Sequence, residues 1–198
     1  VRVIDNRNAF SLPSGNISFE KELDFKVGNG LFKKLWVSSP SSTLASDGLG
    51  PLFNARSCQR CHLKDGRGHP PERPDDSATS MLMRVSIAGG ATPDEIEGYI
   101  ASQPEPSYGG QIQDFSIAGV PAEAQIKVAY TEEVIQLSGG ETASLRTPHY
   151  DLTNLGYGPL HPVALISPRG APQMIGLGLL VAIPAADILA LADPDDAD

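Results

Sequence analysis

Apolar positions between Phe19 and Trp36 recur with a helical period: Phe25, Gly28, Phe32 and Trp36 fall at i, i+3, i+7 and i+11, on one face. The spacing predicts a helix over residues 19–37, stopped by the serine-rich run 38–42 with Pro40 inside it. A glycine costs helix stability, so Gly28 among aromatic neighbours is expected where another backbone comes close; the blander alternative is a surface helix with an accidental glycine. Residues 38–57 read as a long loop with turn signals at Asp47-Gly48 and Gly50-Pro51. Met81–Ile87 fits a short strand or a helical turn equally well. Thr92-Pro93-Asp94-Glu95 has the order of a helix start, with Thr as N-cap, Pro at N1 and Glu at N3, and predicts a helix over 93–102. From 110 to 152 the apolar residues come in short, partly alternating runs (Ile112, Ile117, Ile126, Val128, Tyr130, Val134, Ile135, Leu145), with Gly139-Gly140 placed as a hairpin turn. This stretch is a β-rich insert. Beyond Pro172 the period turns helical again through Met174, Leu177, Leu180 and Val181, predicting helices at 172–182 and 184–192. The pattern is that of one α+β domain over 1–198, with its β insert at about 110–152 and no internal repeat.

Composition narrows the picture. The chain has 198 residues with 20 Gly and 17 Pro, about one position in five, which argues against coiled coils and all-helical bundles. A net charge of −9 offers no basic face for phosphates, so no nucleic acid is expected as a partner. The longest apolar run, Met174–Ile183, is interrupted by Gly176 and Gly178 and is shorter than the ~18 residues of a membrane span, so the chain is not expected to be transmembrane. No signal peptide is visible, and the start Val1-Arg2-Val3 is that expected of a mature or trimmed protein.

The two cysteines carry the chemistry. Cys58-Gln59-Arg60-Cys61-His62 has the spacing of c-type haem attachment. Two thiols two residues apart can add across the two vinyl groups on one edge of a porphyrin, and the next residue, His62, then offers its imidazole to the iron. Three other uses of the motif stay open at this point. A disulfide-exchange pair would sit in a βαβ pattern, absent around 58–61; a zinc site needs four ligands, and only His69 is near enough to join Cys58, Cys61 and His62; a disulfide across so small a ring would be strained. Of the remaining histidines, His69 and His149 read as surface residues, and His161, set between Leu160 and Pro162, as a structural hydrogen-bonding residue or a second ligand. Met174, in Ala-Pro-Gln-Met, is the stronger candidate for a distal haem ligand; its alternative is plain core packing. Arg56, Arg60 and Arg67 are placed to pair haem propionates or to stand in solvent.

The arrangement Phe25-x-x-Gly28-x-x-x-Phe32-x-x-x-Trp36, Asp47-Gly-Leu-Gly-Pro-Leu-Phe-Asn54, Cys58-x-x-Cys61-His62, Gly66-Arg-Gly68, Tyr108-Gly-Gly-Gln111, Tyr157-Gly-Pro-Leu-His-Pro162 and Ser167-Pro-Arg-x-Ala-Pro-x-Met174 resembles the bacterial di-haem oxidoreductases. That family is related to the di-haem cytochrome c peroxidases, and its members are sometimes labelled thiol oxidoreductases. The resemblance implies a cytochrome c-like helical haem domain carrying one covalent haem c, with Phe32, Trp36, Leu177, Leu180 and Val181 buried around it. Family members are about twice this length and carry a second CxxCH, so the resemblance implies the N-terminal half of such a protein, with a C-terminal haem domain as partner. One haem leaves the peroxide cycle incomplete, and the thiol label has no support when the only two thiols hold haem.

The expected function is therefore a c-type haem redox domain of a peroxidase-like enzyme, with a non-catalytic binding or scaffold domain of a cell-envelope or iron-handling assembly as the alternative. Covalent haem attachment takes place outside the bacterial cytoplasm, which implies a periplasmic or cell-envelope location. Asp193, Asp195, Asp196 and Asp198 alternate as calcium ligands do, but supply only part of the six to eight oxygens calcium takes. Since related peroxidases hold calcium between their haem domains, calcium is expected only in the longer protein.

Overall fold

The computed structural model describes residues 4–6, 8–73, 76–77, 79–88 and 102–192. In chain order these form α1 (Phe19–Lys33), β1 (Val37–Ser38), β2 (Asp47–Leu49), β3 (Leu52–Phe53), α2 (Cys58–Cys61), β4 (Met81–Ala88), β5 (Ser102–Gln103), β6 (Phe115–Ser116), β7 (Gln125–Gln136), β8 (Thr142–Thr153), β9 (Ala164–Gly170), α3 (Leu177–Val181) and α4 (Ala185–Leu189). The class is α+β with strands predominating. Among the described residues only α1, with 15 residues, is a helix of ordinary length; the other three α-helices span four or five residues.

α1 starts where Ser18 accepts a hydrogen bond from the Lys21 N–H, with Glu20 and Glu22 in the first turn and Lys33 in the last, each favourable to the helix dipole. It ends four residues short of the predicted 37. The Trp36 N–H donates to the Arg56 carbonyl at 2.8 Å, and the Arg56 side chain returns a bond to the Trp36 carbonyl at 2.8 Å, drawing this segment out of the helix. The expected packing role of Gly28 is not met: a Cβ there would find no atom within 4 Å.

Alternate burial settles Met81–Ile87 as a strand. Met81, Met83 and Val85 are at most 3% exposed, and β4 pairs antiparallel with β9 from Met81↔Gly170 to Ile87↔Ala164. The periodicity gave no sign of β9, whose Ser167-Pro168 interrupts the apolar run. β7 and β8 make the expected hairpin in unbroken register from Gln125↔Thr153 to Gln136↔Thr142, turning at Gly139-Gly140 with both φ positive. The core lies between β4 and the root of this hairpin: Met81, Met83, Val85, Tyr108, Ile112, Ala124 and Val128, flanked by Ile126, Tyr130, Tyr150 and Leu152. Two of the three methionines are thus core residues.

The helices expected at 172–182 and 184–192 shrink to α3 and α4, because Gly176, at φ +80°, begins α3 and Pro184 separates the two. Residues 93–101 of the helix expected at 93–102 lie outside the described residues, and Ser102 belongs to β5. The burial expected of the apolar helix positions is also corrected. Trp36 is 39% exposed, Leu180 60% and Val181 85%, so the apolar spacing is present but these side chains stand in solvent. No described helix is long and apolar enough to cross a membrane.

Candidate functional site

Cys58 and Cys61 open and close the single turn of α2, with Ser57 before it and His62 as its C-cap. Both thiols are free. Cys58 is exposed, whereas Cys61 is half-buried and its Sγ donates to the Thr79 carbonyl. Burial, then the nearby Asp114 and Cys58, push the Cys61 thiol above its ordinary range. It therefore stays protonated and is no activated redox thiol.

After His62 the chain doubles back through Lys64 and Asp65, both left-handed at φ 52° and 62°. This strained turn is over-determined by a run of bonds between residues 62–68 and 171–174. The Gly68 N–H donates to the Ala171 carbonyl at 2.8 Å, the Met174 N–H to the Asp65 carbonyl at 2.8 Å, and Arg67 to the Gln173 side chain at 3.3 Å. Gly68 must be glycine here, since a Cβ would fall 2.6 Å from Ser80.

The most informative member of this run is the bond between His62 Nδ1 and the Pro172 carbonyl, 2.6 Å long. A carbonyl only accepts, so Nδ1 carries a proton, and in the neutral ring the lone pair is then on Nε2. The ring is further set by Phe32, whose centroid lies 6.3 Å from it at a 46° tilt. The sequence motif places a histidine after the second cysteine; the structure turns its Nδ1 to the Pro172 carbonyl.

Phe32 also lines a cavity of about 240 Å³ with Phe25, Gly28, Asn29, Asp65 and Met174. Gly28 lines this space, and among the described residues the buried Asn29 Oδ1 has no hydrogen-bond partner. On the Cys61 side, Arg56 and Arg60 line a second cavity of about 280 Å³ with Phe53, Asn54, Thr79 and Phe115. Met174 is thus brought near His62 through Phe32, and two of the three arginines near the thiols. His161 is engaged elsewhere: its N–H donates to Glu105 Oε1 at 2.8 Å and its Nδ1 accepts from the Val163 N–H. His69 bonds the Pro70 carbonyl, and His149 the Thr131 hydroxyl. Among the described residues no three His, Cys, Asp or Glu side chains gather as for a metal ion, so the zinc set Cys58, Cys61, His62 and His69 is not assembled.

A polar network beside Cys61 escaped the sequence reading. Asn54 donates to the Ile112 carbonyl and to Asp114 Oδ1 and accepts from Gln111 Nε2, at 2.7, 2.9 and 2.6 Å. Burial pushes the Asp114 carboxyl up, against the Asn54 bond that lowers it. Asn54 and Gln111 both stand in the motifs of the resemblance, a signal without a role until the fold joined them.

These residues fit a haem: two free thiols on one helical turn, an imidazole with Nε2 free, and open space edged by Met174 and by arginines. No curated protein and no solved structure matches the chain. A family model described as "Di-haem oxidoreductase, putative peroxidase" matches residues 3–198, nearly the whole sequence. The chain belongs to the di-haem oxidoreductase family.

Proposed function

We propose that this chain is the c-type haem redox domain of a peroxidase-like di-haem oxidoreductase, holding one haem through thioethers at Cys58 and Cys61 and ligating its iron through His62 Nε2. The observation that carries the reading is the Pro172 carbonyl on His62 Nδ1, because it fixes the tautomer a proximal ligand needs. The bound iron supplies one-electron exchange between ferric and ferrous states. The chain's own residues hold and shield it: the 62–68 turn tied to 171–174 fixes the imidazole, Phe25 and Phe32 exclude water beside it, and Arg56 and Arg60 offer charge to the propionates.

Met174 would be a second ligand to that iron; it shares a cavity with Phe32, whose ring centroid lies 6.3 Å from that of His62. One observation favours a second reading, in which Met174 does not ligate: it lies two residues from Pro172, whose carbonyl bonds Nδ1 and not the Nε2 side of the ring. The domain acts with a C-terminal haem domain and is inactive as a peroxidase alone. It is exported, because the attachment machinery for covalent haem works in the periplasm.

Producing the chain in a periplasm competent for haem attachment tests the reading. Intact mass should show one added haem that survives denaturation and is lost in Cys58→Ser/Cys61→Ser. A colourless protein from such cells, or zinc in place of iron, overturns it.

A further inference from the structure

The net charge of −9 hides a local excess of the opposite sign. Between Asp24 and Glu72 the chain carries seven Lys or Arg and only two Asp or Glu, although acids outnumber bases 24 to 15 overall. Four of these cations share one face. Lys33 and Arg60 line a cavity of about 290 Å³ with Leu35, Ser57 and Leu63, and Arg60 also lines the cavity that Arg56 enters beside Phe115. The Arg56 Nε donates to the Trp36 carbonyl, and the Lys34 ammonium stands 4.7 Å from the centre of the Trp36 ring. None of these four is in an ion pair among the described residues. The two acids of the stretch are engaged elsewhere: Asp47 accepts from the Ser39 hydroxyl at 3.2 Å, and Asp65 lines the cavity of Phe25, Phe32 and Met174. Among the cations stand Leu35, Trp36 and Leu63, which are 50%, 39% and 47% exposed.

We propose that this face docks an acidic one-electron carrier protein, and the proposal rests on the chain being a haem domain. Cys58 is exposed on the same helical turn as Arg60, so the face borders the edge at which a haem would be held. With a carrier docked there, one electron passes from its reduced centre, which is oxidised, to the ferric iron, which is reduced; no bond forms or breaks. With both arginines engaged by the haem propionates, Lys33 and Lys34 still leave the face cationic. The occupant follows from charge and make-up. Uncompensated cations call for an acidic surface, and charge set round exposed Trp and Leu is how a protein contact is built, with a polar rim and an apolar, aromatic centre. Nucleic acid or an anionic bilayer fits less well. Such polyanions extend past four side chains and then meet a chain whose net charge is −9.

Calorimetric titration of the 198-residue chain, haem-free and haem-loaded, with a plant-type [2Fe–2S] ferredoxin tests this, since that protein is an acidic one-electron carrier. At 0.1 M salt the Debye length is about 10 Å, which screens the net charge of the whole chain but not the contacts across a docked face. The expected dissociation constant is on the order of 100 µM, that of a transient redox complex, rising roughly tenfold by 0.5 M salt. Lys33→Glu/Lys34→Glu should raise it roughly tenfold or more, whereas Lys33→Arg/Lys34→Arg should leave it within about twofold. Lys33→Glu alone, at an exposed side chain, should act in the same direction and guards against a folding defect in the double variant. The proposal is overturned by a parent chain that does not bind, or by binding indifferent to charge reversal. Tighter capture by phosphatidylglycerol vesicles or duplex DNA through the same lysines overturns it too. A chain that acquires haem yet fails these tests loses the docking face alone, whereas one that never acquires haem overturns the haem domain beneath it.

Discussion

Glu105 is 2% exposed, and its carboxylate gathers three backbone donors from two loops. Oε2 accepts from the N–H groups of Ser107 and Tyr108 at 2.6 and 2.7 Å, and Oε1 from the N–H of His161 at 2.8 Å. Tyr108, ordered by this carboxylate, donates its hydroxyl to the Gly158 carbonyl at 2.5 Å, so the group staples the 105–109 turn to the 158–161 loop beside the core. Glu105→Gln keeps the shape but turns one oxygen into a donor facing donors. At least one buried N–H then loses its partner, which costs about 2–4 kcal/mol at neutral pH, a hydrogen bond to a charged group plus the orphaned donor. Burial alone would raise this carboxyl, yet the N–H groups of His161, Tyr108 and Ser107 outweigh it and hold it below the usual carboxylate range. With the folded pKa depressed, the stabilisation is present above the unfolded carboxyl pKa of about 4.3 and is lost as pH falls through the folded value. Urea unfolding of parent and Glu105→Gln at pH 7 and at stepwise lower pH measures both quantities. The gap between their midpoints should be wide at pH 7 and close on acidification. A gap of the same size at pH 7 and pH 3 would refute the claim that a charged, multiply bonded carboxylate is responsible.

Met174→Ala in the haem-loaded chain should leave the haem covalently attached. Loss of a sulfur-to-iron absorption band then assigns Met174 to the sixth position, and an unchanged spectrum assigns an open one. Gly156→Ala puts a Cβ 2.2 Å from the Ala122 carbonyl oxygen, a backbone atom that cannot step aside, and should lower stability by about 3 kcal/mol or more in thermal melts. Gly28→Ala, by contrast, meets nothing within 4 Å and should stabilise the haem-free chain by about 0.5–1 kcal/mol through helix propensity alone. Calorimetry should detect no tight calcium binding by these 198 residues, because the carboxylates of Asp193, Asp195, Asp196 and Asp198 fall short of the six to eight oxygens calcium takes.

What the sequence made legible followed from local physics. The hairpin shows because alternation and a Gly-Gly turn are properties of adjacent residues, and α1 because its face repeats within a few turns. The end of α1 did not show, since it is set by Arg56, 20 residues away, bonding Trp36. β9 was hidden for a related reason: Pro168 reads as a breaker, but lies opposite Met83 in a pairing with a strand more than 80 residues earlier. The period of α3 and α4 promised buried faces, yet periodicity says only that a face exists and not what covers it. Leu180 and Val181 are exposed because no surface among the described residues covers them.

The candidate site divides the same way. Cys58, Cys61 and His62 are legible because thiol spacing on one helical turn is local chemistry. The bond that orients His62 is not, because its partner is the carbonyl of Pro172, 110 residues further along. Nothing about Pro172 as a residue type announces that role, since it is the backbone oxygen that acts; only the doubling back through Lys64 and Asp65, where two non-glycine residues accept left-handed backbone, brings it into reach. Asn54, Gln111 and Asp114 follow the same logic, ordinary polar residues that become a network beside Cys61 once β3 and β6 pair. Under the proposed function the motif would supply the atoms that hold a haem, and the bonds between 62–68 and 171–174 would set the orientation in which His62 offers its imidazole before the cofactor arrives.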